Sequence, residues 1–251
     1  MRIALISDIH ANLPALESVL ADIERVGADI TYHLGDLVGY APWPNEVIEL
    51  IRAKGIAGVA GNYDSTVGTN YKHCGCRYED ARQEELSHLS FDWTKKHTSD
   101  ANKQWLRGLP FRVDVRPEGG HASGPTLSLI HGNQTLNTVY VTADRSDDFL
   151  RAMGLALGAR AGDAVAFGHT HIPWQRDVDG VHFVNTGSVG RPKDGDWRAG
   201  YVLLSTDAAW TAEFRRVEYD VEATARAIIA SELPDAFAEY LRSGGRPKVM
   251  A

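Results

Sequence analysis

The sequence predicts an α/β fold in which the sheet is covered by helices on both faces. Three observations carry that expectation. Short apolar runs alternate with helical patterns through the N-terminal third; the runs are apolar at consecutive positions, as strands buried on both faces must be; and five such runs end abruptly in polar side chains.

In chain order, I-A-L-I-S (3–7) reads as the first strand. P-A-L-E-S-V-L-A-D-I-E-R-V (14–26) reads as the first helix, with Pro14 in a first turn that tolerates it and Leu16, Leu20 and Ile23 at helical spacing. I-T-Y-H-L-G (30–35) completes a βαβ unit, N-E-V-I-E-L-I-R-A-K-G (45–55) is a second helix stopped by Gly55, and I-A-G-V-A (56–60) is a third buried strand. Residues 65–108 break the rhythm: polar T-N-Y-K-H-C-G-C gives way to a charged helical stretch reaching about Arg107, which reads as a cap-like excursion near the site. Strands return at F-R-V-D-V (111–115), T-L-S-L-I (126–130), A-V-A-F (164–167), V-H-F-V (181–184) and Y-V-L-L (201–204), with one helix near 145–158 and a hairpin signal in D-V-D-G (177–180). The tail from Val221 to about Arg242 reads as a closing helix interrupted at Pro234. With no repeat, low-complexity tract or linker, the chain is expected to form one domain over residues 1–251.

At 251 residues and 43% hydrophobic, the chain can bury a sizeable core. A net charge of −7 with no cationic run argues against long nucleic acid as a partner. The opening M-R-I-A-L-I-S-D-I-H is too short in apolar residues for a signal peptide core, and no run approaches the roughly 18 residues of a membrane span. A soluble, cytoplasmic protein is expected; self-association is left open. Cys74 and Cys76 form C-G-C in one polar segment and cannot staple distant parts of the chain.

The five polar run ends are I-S-D-I-H (Asp8, His10), L-G-D (Asp36), A-G-N (Asn62), L-I-H-G (His131) and F-G-H-T-H (His169, His171). Strand ends at one edge of an α/β sheet converge on a shared crevice, the usual place for a ligand. The i, i+2 spacings place Asp8 with His10, and His169 with His171, near enough to bind one cation or two neighbours. Imidazole, carboxylate and carboxamide without thiolate suit Mn, Fe, Co, Ni or Zn, whereas an all-oxygen set would favour Mg or Ca. Seven donors exceed what one ion takes from side chains, so two divalent ions roughly 3.5 Å apart explain the number better.

D-x-H, G-D, G-N, H-G and G-H-T-H, in that order from Asp8 to His171, resemble the calcineurin-like metallophosphoesterase family. N-T-G-S-V-G (185–190) is similar to the N-P-G-S segment of bacterial members, and D-I-H-A-N is similar to the opening of the small bacterial and archaeal phosphodiesterase branch. The resemblance implies a four-layer α/β/β/α sandwich with mixed sheets. It further implies one metal held by Asp8, His10, Asp36 and His171, a second by Asp36, Asn62, His131 and His169, and Asp36 as the bridge. The implied activity is hydrolysis of a small phosphate ester, a diester more than a monoester, by hydroxide formed between the metals. Phosphoprotein phosphatase, dinucleoside polyphosphate hydrolase and a non-catalytic scaffold on the same fold are the alternatives.

One position departs from the family pattern G-N-H-D/E: Tyr63 stands where the histidine is expected. A phenol with a reference pKa of about 10 donates a hydrogen bond but transfers a proton less readily at neutral pH than imidazolium does. Tyr63 is therefore either a catalytic and substrate contact with weak acid character or a ring packed under the cap. Asp64 is expected to support a ligand such as His10 rather than bind metal. Asn12 could meet a phosphate oxygen or cap the first helix; Asn185, Gly187 and Ser188 could present donors to substrate or form a tight turn. Arg191 and Lys193 are candidate phosphate guides on what otherwise reads as a solvated loop. H-C-G-C (73–76) has no second cysteine pair and reads as a loop with free thiols rather than a zinc site. Trp43 and Trp174 could line the mouth of the site, with packing the default for either, and His33, His88, His97, His121 and His182 lie outside the strand-end pattern.

Overall fold

Alternation along the first strand sets the layering. In β1 (Arg2–Ile6), Ile3 and Leu5 face one side, Ala4 and Ile6 the other, and all four are fully buried. A computed structural model describes residues 1–78, 80–116, 124–206 and 209–245. His121 lies outside them.

Among the described residues, ten strands form two mixed five-stranded sheets. The remaining strands of the first are β2 (Ile30–His33), β3 (Ala57–Gly58), β9 (Ala199–Ser205) and β10 (Thr211–Val217), in the order β10-β9-β1-β2-β3. β1, β2 and β3 run parallel, with Ile3 opposite Ile30 and His33 opposite Gly58, while β9 and β10 run antiparallel to their neighbours. The second sheet is ordered β4-β5-β6-β8-β7, from β4 (Val113–Val115), β5 (Leu127–Leu129), β6 (Ala164–Phe167), β7 (Trp174–Val178) and β8 (Val181–Asn185). β5, β6 and β8 are parallel there, and β4 and β7 are antiparallel edges.

Ile3, Leu5, Leu34, Val59, Val202 and Leu204 from the first sheet meet Leu127, Leu129, Ala164, Ala166 and Val184 from the second in one cluster, so the sheets pack face to face. The opposite face of the first sheet is covered by α1 (Leu13–Val26) and α2 (Pro44–Ala53) through Leu16, Val19, Val47 and Ile51. α6 (Asp147–Leu157) covers the second through Leu150, Met153 and Leu157. The result is the expected four-layer α/β/β/α sandwich. α1 begins at the side-chain cap of Asn12 and ends at Gly27, whose φ of 74° supplies the left-handed turn that closes the helix.

The segment read as an excursion contains α3 (Asn62–Gly68), α4 (Ala81–His97) and α5 (Asp100–Arg107). α4 starts at Asp80, whose side chain accepts from the Gln83 amide at 2.7 Å, and buries Leu86, Ser87, Ser90, Phe91 and Thr94. The tail divides at Pro234 into α7 (Val221–Ala230) and α8 (Ala236–Arg242). Leu86 joins Ile228, Phe237 and Leu241 in a small core that ties α4 to this C-terminal pair. Trp174 is buried with its indole N–H donating to the Val141 carbonyl, which is packing and not a pocket mouth.

Candidate metal centre

Loops leaving the C-terminal ends of β1, β2 and β6 carry most of the expected ligands, and their backbone is unusual. Asp8, His10, Asp36, His169 and His171 all have φ between 49° and 66°. Left-handed backbone at residues with a Cβ costs on the order of 1–3 kcal/mol each and persists where the surrounding structure dictates it, often at functional sites. The strand pleat does not bring these side chains together, because β1 ends at Ile6; left-handed turns after the strands do.

Two groups result, Asp8 with His10 and His171, and Asp36 with His131 and His169, each within 4.8 Å. His171 Nε2 lies 3.2 Å from Asp8 Oδ1 and 3.1 Å from His10 Nε2. Asp36 Oδ2 lies 3.8 Å from His10 Nε2 and 3.5 Å from His131 Nε2, so one carboxylate oxygen faces both groups. Asn62 Oδ1 is 3.1 Å from His131 Nε2. Each remaining ligand atom is fixed from behind. Asp8 Oδ2 accepts from the Ser7 hydroxyl and the His169 amide; Asp36 Oδ1 accepts from the Tyr63 amide; and Nδ1 of His10, His131 and His171 meets the carbonyls of Val38, Leu34 and Arg191. With Nδ1–H donated to a carbonyl, each ring presents its Nε2 lone pair to the site.

Burial holds His10 and His169 down to about 3 and His171 well below the usual imidazole range. These rings are neutral at physiological pH, as metal ligands must be. His131 is different: burial pulls it down, but the Asp36 carboxylate outweighs that and lifts it to about 9. Its proton stands where a cation would sit. Among the described residues, Asp8 Oδ1 and His169 Nε2 are buried with no hydrogen-bond partner, an arrangement costly in itself and relieved by a cation.

The glycines beside these ligands are needed for close approach. A Cβ on Gly35 would lie 2.2 Å from the Gly61 nitrogen, and one on Gly61 would lie 2.0 Å from Asp36 Oδ1. Asp64 accepts from the Gly61 amide at 3.0 Å and the Leu37 amide at 2.9 Å, clasping the two loops; His10, the partner expected for it, is held instead by Val38. The C-G-C segment also reaches the site: Asn62 Nδ2 donates to the Cys74 carbonyl at 3.0 Å and lies 3.5 Å from Cys76 Sγ, which turns Asn62 Oδ1 toward His131. Both cysteines are free.

Residues 1–209 match the calcineurin-like phosphoesterase superfamily domain. The chain belongs to this superfamily. It is 31% identical to an uncharacterized protein, MJ0912, of Methanocaldococcus jannaschii, over 96% of this chain and 98% of that one. The phosphodiesterase YfcE of Escherichia coli is 25% identical over 82% of this chain and 89% of its own. A crystal structure of a metallophosphoesterase from Sphaerobacter thermophilus superposes with a TM-score of 0.75 at 29% identity, covering 97% and 99% of the two chains. As a superfamily member with two buried groups of ligating side chains, the protein is a metal-dependent phosphoesterase.

Above the phosphoesterase centre lies a cleft walled by residues including Tyr40, Tyr63, Arg77, Tyr140, Arg191 and Tyr240. Tyr63 is 1% exposed, its ring edge-on to Phe91 and next to Tyr40 and His10. The ring is packed beneath α4, and the residue also lines the cleft.

Three expected substrate contacts are placed elsewhere. Asn12 accepts from the Ala15 amide and the Thr224 hydroxyl and donates to the Gly190 carbonyl and Tyr219, so its helix-cap role is the one realised. Asn185 spans the Gly168 carbonyl and the Gly187 amide, and Ser188 donates to the Asp8 carbonyl. All three are buried, outside the cleft wall, because their polar atoms are consumed in holding the loops that carry the ligands. Arg191, read as part of a solvated loop, is instead nine-tenths buried in that wall. Tyr40, from the loop before α2, and Phe237 and Tyr240, both from α8, also line it; no sequence spacing relates the distant Tyr40 to the α8 pair.

Proposed function

We propose that the protein hydrolyses phosphate esters, preferentially diesters, with two divalent cations. One would be held by Asp8, His10, Asp36 and His171, the other by Asp36, Asn62, His131 and His169. The observation that carries this reading is Asp36 Oδ2 facing histidines of both groups. Two ions held by these residues would supply charge neutralisation for a phosphoryl group and a water acidic enough to serve as nucleophile near neutral pH. The chain's own part is to hold His10, His169 and His171 neutral and to fix the tautomers of His10, His131 and His171 through their Nδ1 contacts. Mn, Fe, Co, Ni and Zn all suit the donor set.

The preference for substrates with good leaving groups, such as activated diesters, rests on Tyr63. Burial pushes its phenol well above 10, so proton delivery to a leaving alkoxide is weaker than from an imidazolium at that position. Substrates that leave without strong acid assistance are favoured, and the activity named for the YfcE relative is consistent with this. The decisive experiment measures hydrolysis of bis(p-nitrophenyl) phosphate and p-nitrophenyl phosphate with Mn, Ni, Co, Zn or Mg, in wild type and Asp36→Asn. The reading expects metal-dependent turnover, faster on the diester and lost in the variant. Absence of turnover in protein that binds two ions per chain would favour a metal-binding module instead.

A further inference from the structure

Arg191 is 9% exposed, yet among the described residues no carboxylate pairs with it and no acceptor receives its guanidinium N–H groups. Its guanidinium carbon lies 3.9 Å from the ring centroid of Tyr40 and 5.3 Å from that of Tyr240. Aromatic faces orient such a cation and partly offset its lost hydration, but they leave its five in-plane donors unused. Buried arginine is ordinarily paired, and this one opens into the cleft.

Its position relative to the metal centre is fixed by its own backbone, since the Arg191 carbonyl accepts from His171 Nδ1 at 2.6 Å. One residue thus holds a metal ligand with its main chain and presents a cation with its side chain. Tyr40 is itself anchored, its amide donating to Ser90 Oγ at 3.0 Å on α4. Tyr240 comes from α8, beyond the superfamily match that ends at residue 209.

Charge decides what Arg191 is for. Two divalent cations, less the carboxylates of Asp8 and Asp36 and one hydroxide, leave one positive charge, which a diester monoanion cancels. The charge of Arg191 is then surplus: among the described residues that wall the cleft, Asp36 is the only acid, and its carboxylate is already counted. In a chain of net charge −7 this local excess calls for a further anion.

Resting on the two-metal reading above, we propose that Arg191, framed by Tyr40 and Tyr240, is a second anion subsite, and that the substrate carries a second phosphoryl group close to the scissile one. The planar guanidinium fork matches two phosphate oxygens in a way a diester alone does not use.

The test compares inorganic phosphate with imidodiphosphate, a diphosphate whose bridging N–H resists hydrolysis. Each serves as a competitive inhibitor of bis(p-nitrophenyl) phosphate hydrolysis and as the titrant in calorimetry on metal-loaded protein, with metal content per chain checked before and after because diphosphates chelate. Imidodiphosphate should bind wild type about tenfold or more tighter than phosphate. Arg191→Met should bring that ratio to about one or two, and Arg191→Lys, which keeps the charge but loses the fork, should fall between. Tyr240→Ala should also lower the ratio, and with Arg191→Lys it decides the matter if Arg191→Met fails to fold. A ratio near one in wild type, or one preserved in Arg191→Met, overturns the subsite. The two readings fail separately: calorimetry reports the subsite even if no ester is cleaved, and ester cleavage with a ratio of one removes the subsite alone.

Discussion

At the scale of single residues, Tyr63 and His33 carry chemistry that the motifs alone do not specify. Tyr63 replaces an imidazole with a phenol that burial makes a still poorer acid, so Tyr63→His should accelerate alkyl esters by roughly tenfold or more while barely changing nitrophenyl esters. The slope of log kcat/KM against leaving-group pKa reads this directly; an equal change across leaving groups would count against it. His33 is fully buried in β2, both ring nitrogens lack partners, and Gly58 makes room for it, since a Cβ there would lie 2.5 Å from the ring. Burial lowers its pKa to about 3. The unfolded chain takes up a proton near pH 6.5 and the folded one does not until about 3, so the contribution of neutral His33 is complete above 6.5 and is lost as pH falls below it, by up to about 1.4 kcal/mol per pH unit. His33→Phe should flatten the stability profile between pH 6.5 and 4.5 by one proton's worth, measured by urea unfolding; an unchanged slope would locate the acid sensitivity in other buried histidines.

At the scale of elements, the two glycine-preceded loops after β2 and β3 form an interlocked pair. Gly61→Ala would drive a methyl group into Asp36 Oδ1 and the Asp36 amide, 2.0 and 2.2 Å away. We expect metal affinity to fall about 10- to 100-fold with the far-UV circular dichroism spectrum preserved, because the displaced group is a ligand and not a core side chain. That interlock also shows what sequence could and could not reveal. G-D and G-N were legible as motifs, and β1, β2, α1 and α2 followed from unambiguous apolar periods, but the left-handed turns that aim Asp8, His10 and Asp36 inward leave no mark in residue type. β10 escaped notice because T-A-E-F-R-R-V is a charged edge strand without apolar alternation, and α3 because N-Y-D-S-T-V-G has no helical stripe. The roles of Asn12, Asn185 and Ser188 were underdetermined for a related reason: an amide or hydroxyl near a site is equally suited to ligand or loop, and only the partners it has already satisfied decide.

At the scale of the whole molecule, the sheet-end loops, α3, α4 and α8 all converge on one charged cavity, which ties global stability to its occupancy. Without cations the fold buries two carboxylates and four imidazoles, with Asp8 Oδ1 and His169 Nε2 unsatisfied. Cations that bind the native state alone stabilise it by about 4 kcal/mol at a thousandfold excess over Kd. For a chain of 251 residues each kcal/mol moves the midpoint by about 2–4 °C, so a single occupied site should raise Tm by about 8–16 °C. Calorimetric scans of chelator-treated and metal-loaded protein measure this. Asp36→Asn separates the cause: its oxygen faces both groups, so the variant should lose most of the metal-induced shift while its chelator-treated Tm stays near, or rises above, that of the wild type. The direction follows because the ions bind through this carboxylate, whereas in the chelator-treated chain Asp36 is met by the His131 proton and the Tyr63 amide, groups beside which an amide side chain can stay buried without a charge of its own. A full shift in Asp36→Asn would mean that the ions stabilise the chain from somewhere other than the centre between β1, β2 and β6.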